Sequence, residues 1–155
     1  MPRLTLPSPT GALTIVERDG AIVRLDWGDR MPGPKGVDQT ALLQCAAAQL
    51  EAYFAGDLQE FDLPLDVAGS QFQRDVCDAM SAIPFGETRT YGDIAADVSG
   101  SAQAVGNACG GNPIPVIIPC HRVLGASSLG GFSGSGGVET KVWLLRHEGA
   151  AGLLI

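Results

Sequence analysis

At 155 residues, with 45% hydrophobic and 17% charged positions, the chain has the make-up of a folded protein with one ordinary domain or two small ones. No apolar run reaches the roughly 18–20 residues of a membrane span, and the opening MPRLTLPSPTG lacks a signal-peptide core, so a cytoplasmic protein with no membrane partner is expected. A net charge of −7 with only two lysines, Lys35 and Lys141, excludes an extended basic patch.

In chain order, ALTIVERDGAIVRLDW reads as two strands around the hairpin signal Asp19-Gly20. A Pro/Gly-rich loop follows. DQTALLQCAAAQLEAYFAG then predicts a helix with Leu43, Ala46, Leu50 and Phe54 on one face, Asp38 as N-cap and Gly56 as stop. DVAGS looks like a linker, which divides the chain into an N-terminal sheet-plus-helix domain, 1–66, and a second domain, 67–155. The first part holds ten acidic and five basic residues and the second seven and five, so most of the negative charge lies in the first.

The second domain opens with a helix over SQFQRDVCDAMSAIPFG. Ser70 and Gln73 form a capping box, and Phe72, Val76, Met80 and Ile83 form a stripe ending at Pro84. TYGDIAADVSG, capped by Thr90, and SAQAVGNACGG, capped by Ser101, predict two short helices joined by a Gly-containing turn, as in a helix-turn-helix. A last helix over GVETKVWLLRHEG places Val138, Val142 and Leu145 on one face and ends at Gly149. The fold class is α+β: a small N-terminal sheet-plus-helix domain, then a mostly helical domain of winged helix-turn-helix type.

The chemistry concentrates in NPIPVIIPCHRVLG. Pro113, Pro115 and Pro119 remove backbone donors and predict an extended, stiff segment that delivers Cys120, His121 and Arg122. The four cysteines, Cys45, Cys77, Cys109 and Cys120, include no CxxC pair and are expected as free thiols. His121 and His147, the only histidines, are not at zinc-ligand spacing, so no metal site is expected. A cysteine is often a small buried hydrophobe. Cys120 with an adjacent imidazole and the carboxylate of Glu148 also fits a thiol nucleophile, its base and an orienting acid, a pattern that suits a thiol hydrolase equally.

PCHRV, preceded by GNPIPVII and followed by GGVETKVWLLRHEG, closely resembles the O6-alkylguanine-DNA alkyltransferases, and the match runs from about Phe72 to Gly149. The resemblance implies direct-reversal repair of alkylated DNA by a monomer without cofactor: O6-alkylguanine, or O4-alkylthymine, is flipped out and its alkyl group passes irreversibly to the protein's own cysteine. By matching position, Cys120 is the acceptor, His121 its base acting through a water, and Glu148 the group orienting His121. Asn112 holds the turn before the active-site strand, and Tyr91 donates to the leaving guanine. Ser133 bonds O6, the carbonyls of Cys120 and Val123 accept from the exocyclic amine, and Lys141 lies near the pocket. Cys109 stands where a pocket-lining methionine is common, and Phe132 where tyrosine is common.

The second helix of the helix-turn-helix would enter the minor groove, where small residues allow close approach. The implied DNA-facing set is Thr90, Ser101, Ala102, Gln103, Ala104 and Arg122. The family's arginine finger corresponds to Gln103 here, and a later arginine to Gly110. Without either charge, duplex DNA should bind more weakly and with a shallower salt dependence. The alternatives are an alkyl-accepting thiol acting on single-stranded DNA, a free base or a small alkylating molecule, or a lesion-binding protein. Cys120 argues against the last.

Overall fold

The computed structural model describes residues 1–28, 40–132, 134 and 136–150. The chain divides into two compact units, Met1–Asp66 and Val67–Ile155. In the first, strands β1 (Arg3–Leu6), β2 (Leu13–Arg18) and β3 (Ala21–Trp27) form an antiparallel sheet in the order β1-β2-β3. Asp19 and Gly20 both take positive φ, the conformation that a two-residue hairpin requires. Inward-facing Leu13, Ile15, Ile22 and Leu25 are buried against helix α1 (Ala41–Phe54). The short β1 has no turn-flanked alternation strong enough to announce it, and its partner β2 recruits it.

Two expectations for α1 change. Its N-cap is Thr40, whose hydroxyl accepts from the Leu43 amide, and Asp38 lies outside the described residues. The buried aromatic near its end is Tyr53, not Phe54, because 3.6-residue periodicity from Leu43, Ala46 and Leu50 reaches position 53.

The second unit contains helices α2 (Gln71–Ser81), α3 (Tyr91–Val98), α4 (Ala102–Gly110) and α5 (Val138–His147), and short parallel strands β4 (Arg89–Thr90) and β5 (Val123–Leu124). Ser70 caps α2 by accepting from the Gln73 amide, but the capping box is incomplete. The Gln73 side chain instead donates to the Ala108 carbonyl at 2.7 Å, tying α2 to α4. The full box forms on α3, where Thr90 and Asp93 satisfy each other's backbone amides.

Helices α3 and α4 are joined through Ser99, in the left-handed region, and Gly100, whose absent Cβ would lie 2.7 Å from the Phe72 ring. Helix α5 buries Thr140, Lys141, Leu144 and Leu145, while Val138 is exposed. Its inward face is thus rotated from the predicted one, and it carries a lysine where an apolar residue is ordinary. Among the described residues no helix is long and apolar enough to cross a membrane.

The proline segment is not extended. Ile118 donates to the Ile114 carbonyl at 2.9 Å, and Val116 is turned to φ 72 within a tight loop. A β-branched residue seldom adopts that conformation; here Val116 is buried and held by its neighbours. Asn112 laces the loop, accepting from the Ile114 amide at 3.0 Å and donating to the Ile118 carbonyl at 2.9 Å. Pro119 then opens a single 3-10 turn, Cys120–Arg122, that runs directly into β5. The prolines fix φ without enforcing a strand, and the Asn112 side chain supplies the hydrogen bonds that bend the chain.

Candidate active site

Parallel pairing of Arg89 with Val123 and Thr90 with Leu124 determines the layout of the site. Strand β5 continues from the 3-10 turn and β4 leads into α3, so Cys120 and Tyr91 meet at one pocket. The pocket holds about 400 Å³, the size class of small-ligand sites. Its lining combines two thiols, Cys109 and Cys120, two rings, Tyr91 and Phe132, and the glycines 106, 110 and 131. A Cβ on any of these three glycines would meet nothing within 4 Å, so the bare backbone there contributes room.

Behind Cys120 lies a buried polar network. Glu148 takes His121 Nε2 at 2.7 Å, Arg122 Nε at 2.8 Å and Arg122 Nη2 at 3.0 Å. Since a carboxylate only accepts, Nε2 carries the imidazole proton and Nδ1 keeps its lone pair. Nδ1 is buried without a partner among the described residues. Burial lowers the His121 pKa despite the carboxylate beside it, and the charges of Arg122 and Lys141 lower it further. The neutral imidazole therefore presents a free base on one edge and is anchored on the other.

Burial pushes the Cys120 thiol up to about 11, opposed by a hydrogen bond from Asn112 and by the charge of Lys141. At neutral pH the buried thiol is held mostly protonated. The thiol must therefore be deprotonated as it reacts. Burial also raises the Cys109 thiol, to about 12, and its Sγ lies 3.5 Å from Met80 Sδ. Tyr91, raised chiefly by burial, keeps its phenolic proton.

Lys141, fully buried, donates from Nζ to the carbonyls of Val123 at 2.6 Å and Gly131 at 3.1 Å. The Val123 carbonyl expected to meet a substrate amine thus already accepts one hydrogen bond. Phe132 is half-buried in the lining, and Ser133 lies outside the described residues.

The DNA-facing set divides. Ser101, Ala102 and Gln103 are exposed and Ala104 is half-exposed at the start of α4, while the hydroxyls of Thr90 and Ser101 are engaged as helix caps. Arg122 does not belong to this surface. It is buried, with its third hydrogen bond, from Nη1, on the Ile83 carbonyl at 2.6 Å and its guanidinium over the Phe85 ring. A guanidinium next to a buried carboxylate is drawn inward, and sequence order alone gave no sign of the 26-residue closure to Glu148.

Gly130 is a sharp test of the pocket's geometry. It holds φ 72, and an added Cβ would lie 2.5 Å from Tyr91 Oη. Gly130→Ala is expected to push Tyr91 aside and slow reaction of Cys120 with O6-benzylguanine at least about tenfold, corresponding to roughly 1.4 kcal/mol in the barrier. Rates measured by mass spectrometry, with thermal melting as control, check this; an unchanged rate would mean that Tyr91 and Gly130 are free to separate.

Residues 71–150 match the family described as 6-O-methylguanine DNA methyltransferase, DNA binding domain, and residues 3–67 match the same protein's ribonuclease-like domain. A methylated-DNA–protein-cysteine methyltransferase of Mycolicibacterium paratuberculosis is 46% identical over 150 residues, covering 93% of this chain and 90% of the relative. The constitutive enzyme of that name from Bacillus subtilis is 41% identical over 154 residues, covering 93% of each. The crystal structure of Mycobacterium tuberculosis O6-methylguanine methyltransferase superposes with a TM-score of 0.84 at 40% identity, over 99% of this chain and 96% of that one. A structure of the Mycobacterium tuberculosis protein in complex with DNA gives 0.82 at 41% identity, over 96% and 93%. With both halves matched and relatives aligned along nearly their full length, the chain belongs to the 6-O-methylguanine DNA methyltransferase family.

Proposed function

We propose that this chain repairs alkylated DNA by direct reversal, moving the alkyl group of O6-alkylguanine, or O4-alkylthymine, to Cys120 in a single turnover. The observation that carries the reading is the base-sized pocket with the Cys120 thiol in its lining and the Glu148–His121 pair behind it. The reacting oxygen is hidden in a stacked duplex, so the base must be extruded to reach such a pocket.

His121 Nδ1 takes the Cys120 proton through an intervening water, since among the described residues no hydrogen bond joins the thiol to the imidazole directly. The sulfur attacks the alkyl carbon, an S–C bond forms, and the C–O6 bond breaks with its electron pair going to guanine. Tyr91 donates a proton to that leaving base. Asn112 holds the loop that sets Cys120 in place, and Cys109, Phe132 and Val123 shape the pocket. No group in this scheme regenerates the thiol, so each molecule acts once. All of these parts lie within this chain, so a monomer would suffice for the reaction.

Incubation with an oligonucleotide carrying labelled O6-methylguanine should add one methyl mass to Cys120. No shift at stoichiometric protein, with binding verified, would sink the proposal.

One observation favours a second substrate form. The exposed residues of α4, Ala102, Gln103, Asn107 and Gly110, carry no charge, which suits single-stranded DNA or a free base as well as a duplex. Rates on duplex, single strand and free O6-benzylguanine separate these. Gln103→Arg is expected to tighten duplex binding and steepen the slope of log affinity against log salt by about 0.9, the value for one phosphate contact. A titration at several salt concentrations reads it, and an unchanged slope would remove Gln103 from the DNA surface.

A further inference from the structure

Two of the four free cysteines open onto the same pocket. Cys109 and Cys120 are both buried and both line it, so the pocket is their shared access to solution. A short relay of hydrogen bonds holds their backbones together. The Asn112 amide donates to the Cys109 carbonyl at 3.2 Å, and the Asn112 side chain donates to the Ile118 carbonyl at 2.9 Å. That same Ile118 carbonyl accepts from the Cys120 amide at 2.8 Å. One asparagine thus pins the end of α4 beside the 3-10 turn.

Residues 106, 109 and 110 share a face of α4, and two of the three are glycines. Among the described residues, Cys109 is therefore the only side chain that α4 gives to the pocket lining. Its Sγ lies 3.5 Å from Met80 Sδ, so its surroundings are soft and polarizable. Among the described residues no group of three or more His, Cys, Asp or Glu is placed to hold a metal ion. Two thiols fall short of a metal cage, but they suffice for a thiophilic centre that carries a third ligand of its own. A monosubstituted trivalent arsenical is such a centre, with one carbon and two exchangeable oxygen bonds on a soft atom that prefers sulfur.

We propose that Cys109 and Cys120 form a dithiol site for monosubstituted trivalent arsenicals. Because Cys120 is the acceptor in the proposed repair reaction, such a ligand caps that acceptor reversibly. In the step, R–As=O meets two S–H groups. Two As–S bonds form, the As=O bond is lost, and both thiol protons leave with the oxygen as one water. Arsenic stays trivalent and sulfur is not oxidised, so the step needs no oxidant. Its demand on the backbone is looser than that of a disulfide, because arsenic stands between the two sulfurs. The pocket, about 400 Å³ with the Tyr91 and Phe132 rings in its lining, has room for an aromatic substituent on the arsenic.

The test loads the full chain with phenylarsine oxide and then adds excess mercaptoethanol, which strips arsenic from a single thiol but not from a chelating pair. Intact mass should show one phenylarsenic group retained per chain, with two hydrogens lost, and dithiothreitol should release it. The loaded protein should not react with O6-benzylguanine at Cys120, and release should restore the reaction. Cys109→Ser and Cys120→Ser should each weaken retention about 10²-fold or more, the advantage of a second, intramolecular contact. Cys45→Ser and Cys77→Ser should retain arsenic as the native chain does.

A native chain that keeps no arsenic under excess mercaptoethanol would overturn the proposal without any variant having to fold. Native retention in folded Cys109→Ser or Cys120→Ser would overturn it too, as would a loaded protein that still reacts at Cys120. Methyl transfer from the labelled oligonucleotide is measured on arsenic-free protein, so the failure of one reading is distinct from the failure of the other.

Discussion

Arg122→Met is expected to destabilise the protein by about 3–5 kcal/mol while leaving the DNA affinity of the folded molecules unchanged. The substitution removes two charge-assisted hydrogen bonds to Glu148 and one to the Ile83 carbonyl, and it leaves a buried carboxylate whose charge is no longer compensated. Arg122→Lys should recover little. A single ammonium cannot meet both oxygens of Glu148 and a carbonyl from the far side, as the planar guanidinium does. Urea denaturation followed by circular dichroism measures the loss. Binding to a lesion-bearing duplex, corrected for the folded fraction, measures the surface role. A variant of native stability that has lost DNA affinity would return Arg122 to the DNA face.

The Arg122 case shows where a linear reading succeeds and where it stops. Periodicity, caps and the Asp-Gly turn disclosed β2 and β3 of the N-terminal sheet, the body of α1 and the paired helices α3 and α4, because those features act within a few residues. PCHRV and RHEG pointed to Cys120, His121 and Glu148 through the family resemblance those motifs carry, and the fold brings His121 and Glu148 into contact. Arg122 lay inside the same motif, yet its partner is fixed by the docking of α5, a tertiary event with no local signature.

The proline segment failed for a related reason. Its prolines restrict φ but do not choose between strand and turn, and the deciding bonds come from one side chain, Asn112. Lys141 was visible as a residue near the pocket. Its lack of a carboxylate partner became visible only with the neighbours in place. Gln73 could have been read either as a cap or as a tie to another helix, and packing selected the tie.

His121→Gln is expected to slow alkyl transfer about 10²–10⁴-fold, the usual contribution of a positioned base. The imidazole is buried with Nε2 committed to Glu148, so Nδ1 is the atom available to receive the thiol proton. Glutamine can still meet Glu148 through its amide, but it offers no basic nitrogen. Because Arg122 stays paired with Glu148, the variant should fold, whereas removing Glu148 would strand both Arg122 and His121. The loss at His121 therefore reports on chemistry and the loss at Glu148 on chemistry and stability together. The pH profile supplies a second reading. Burial holds the His121 pKa below its ordinary 6.5, so the base form persists as the pH falls through 6.5. With oligonucleotide saturating, the native rate should hold through pH 6.5 and fall only at lower pH. A rate that halves at 6.5 would mean that the imidazole titrates as if exposed to water, and a His121→Gln variant with native rates would leave some other group as the base.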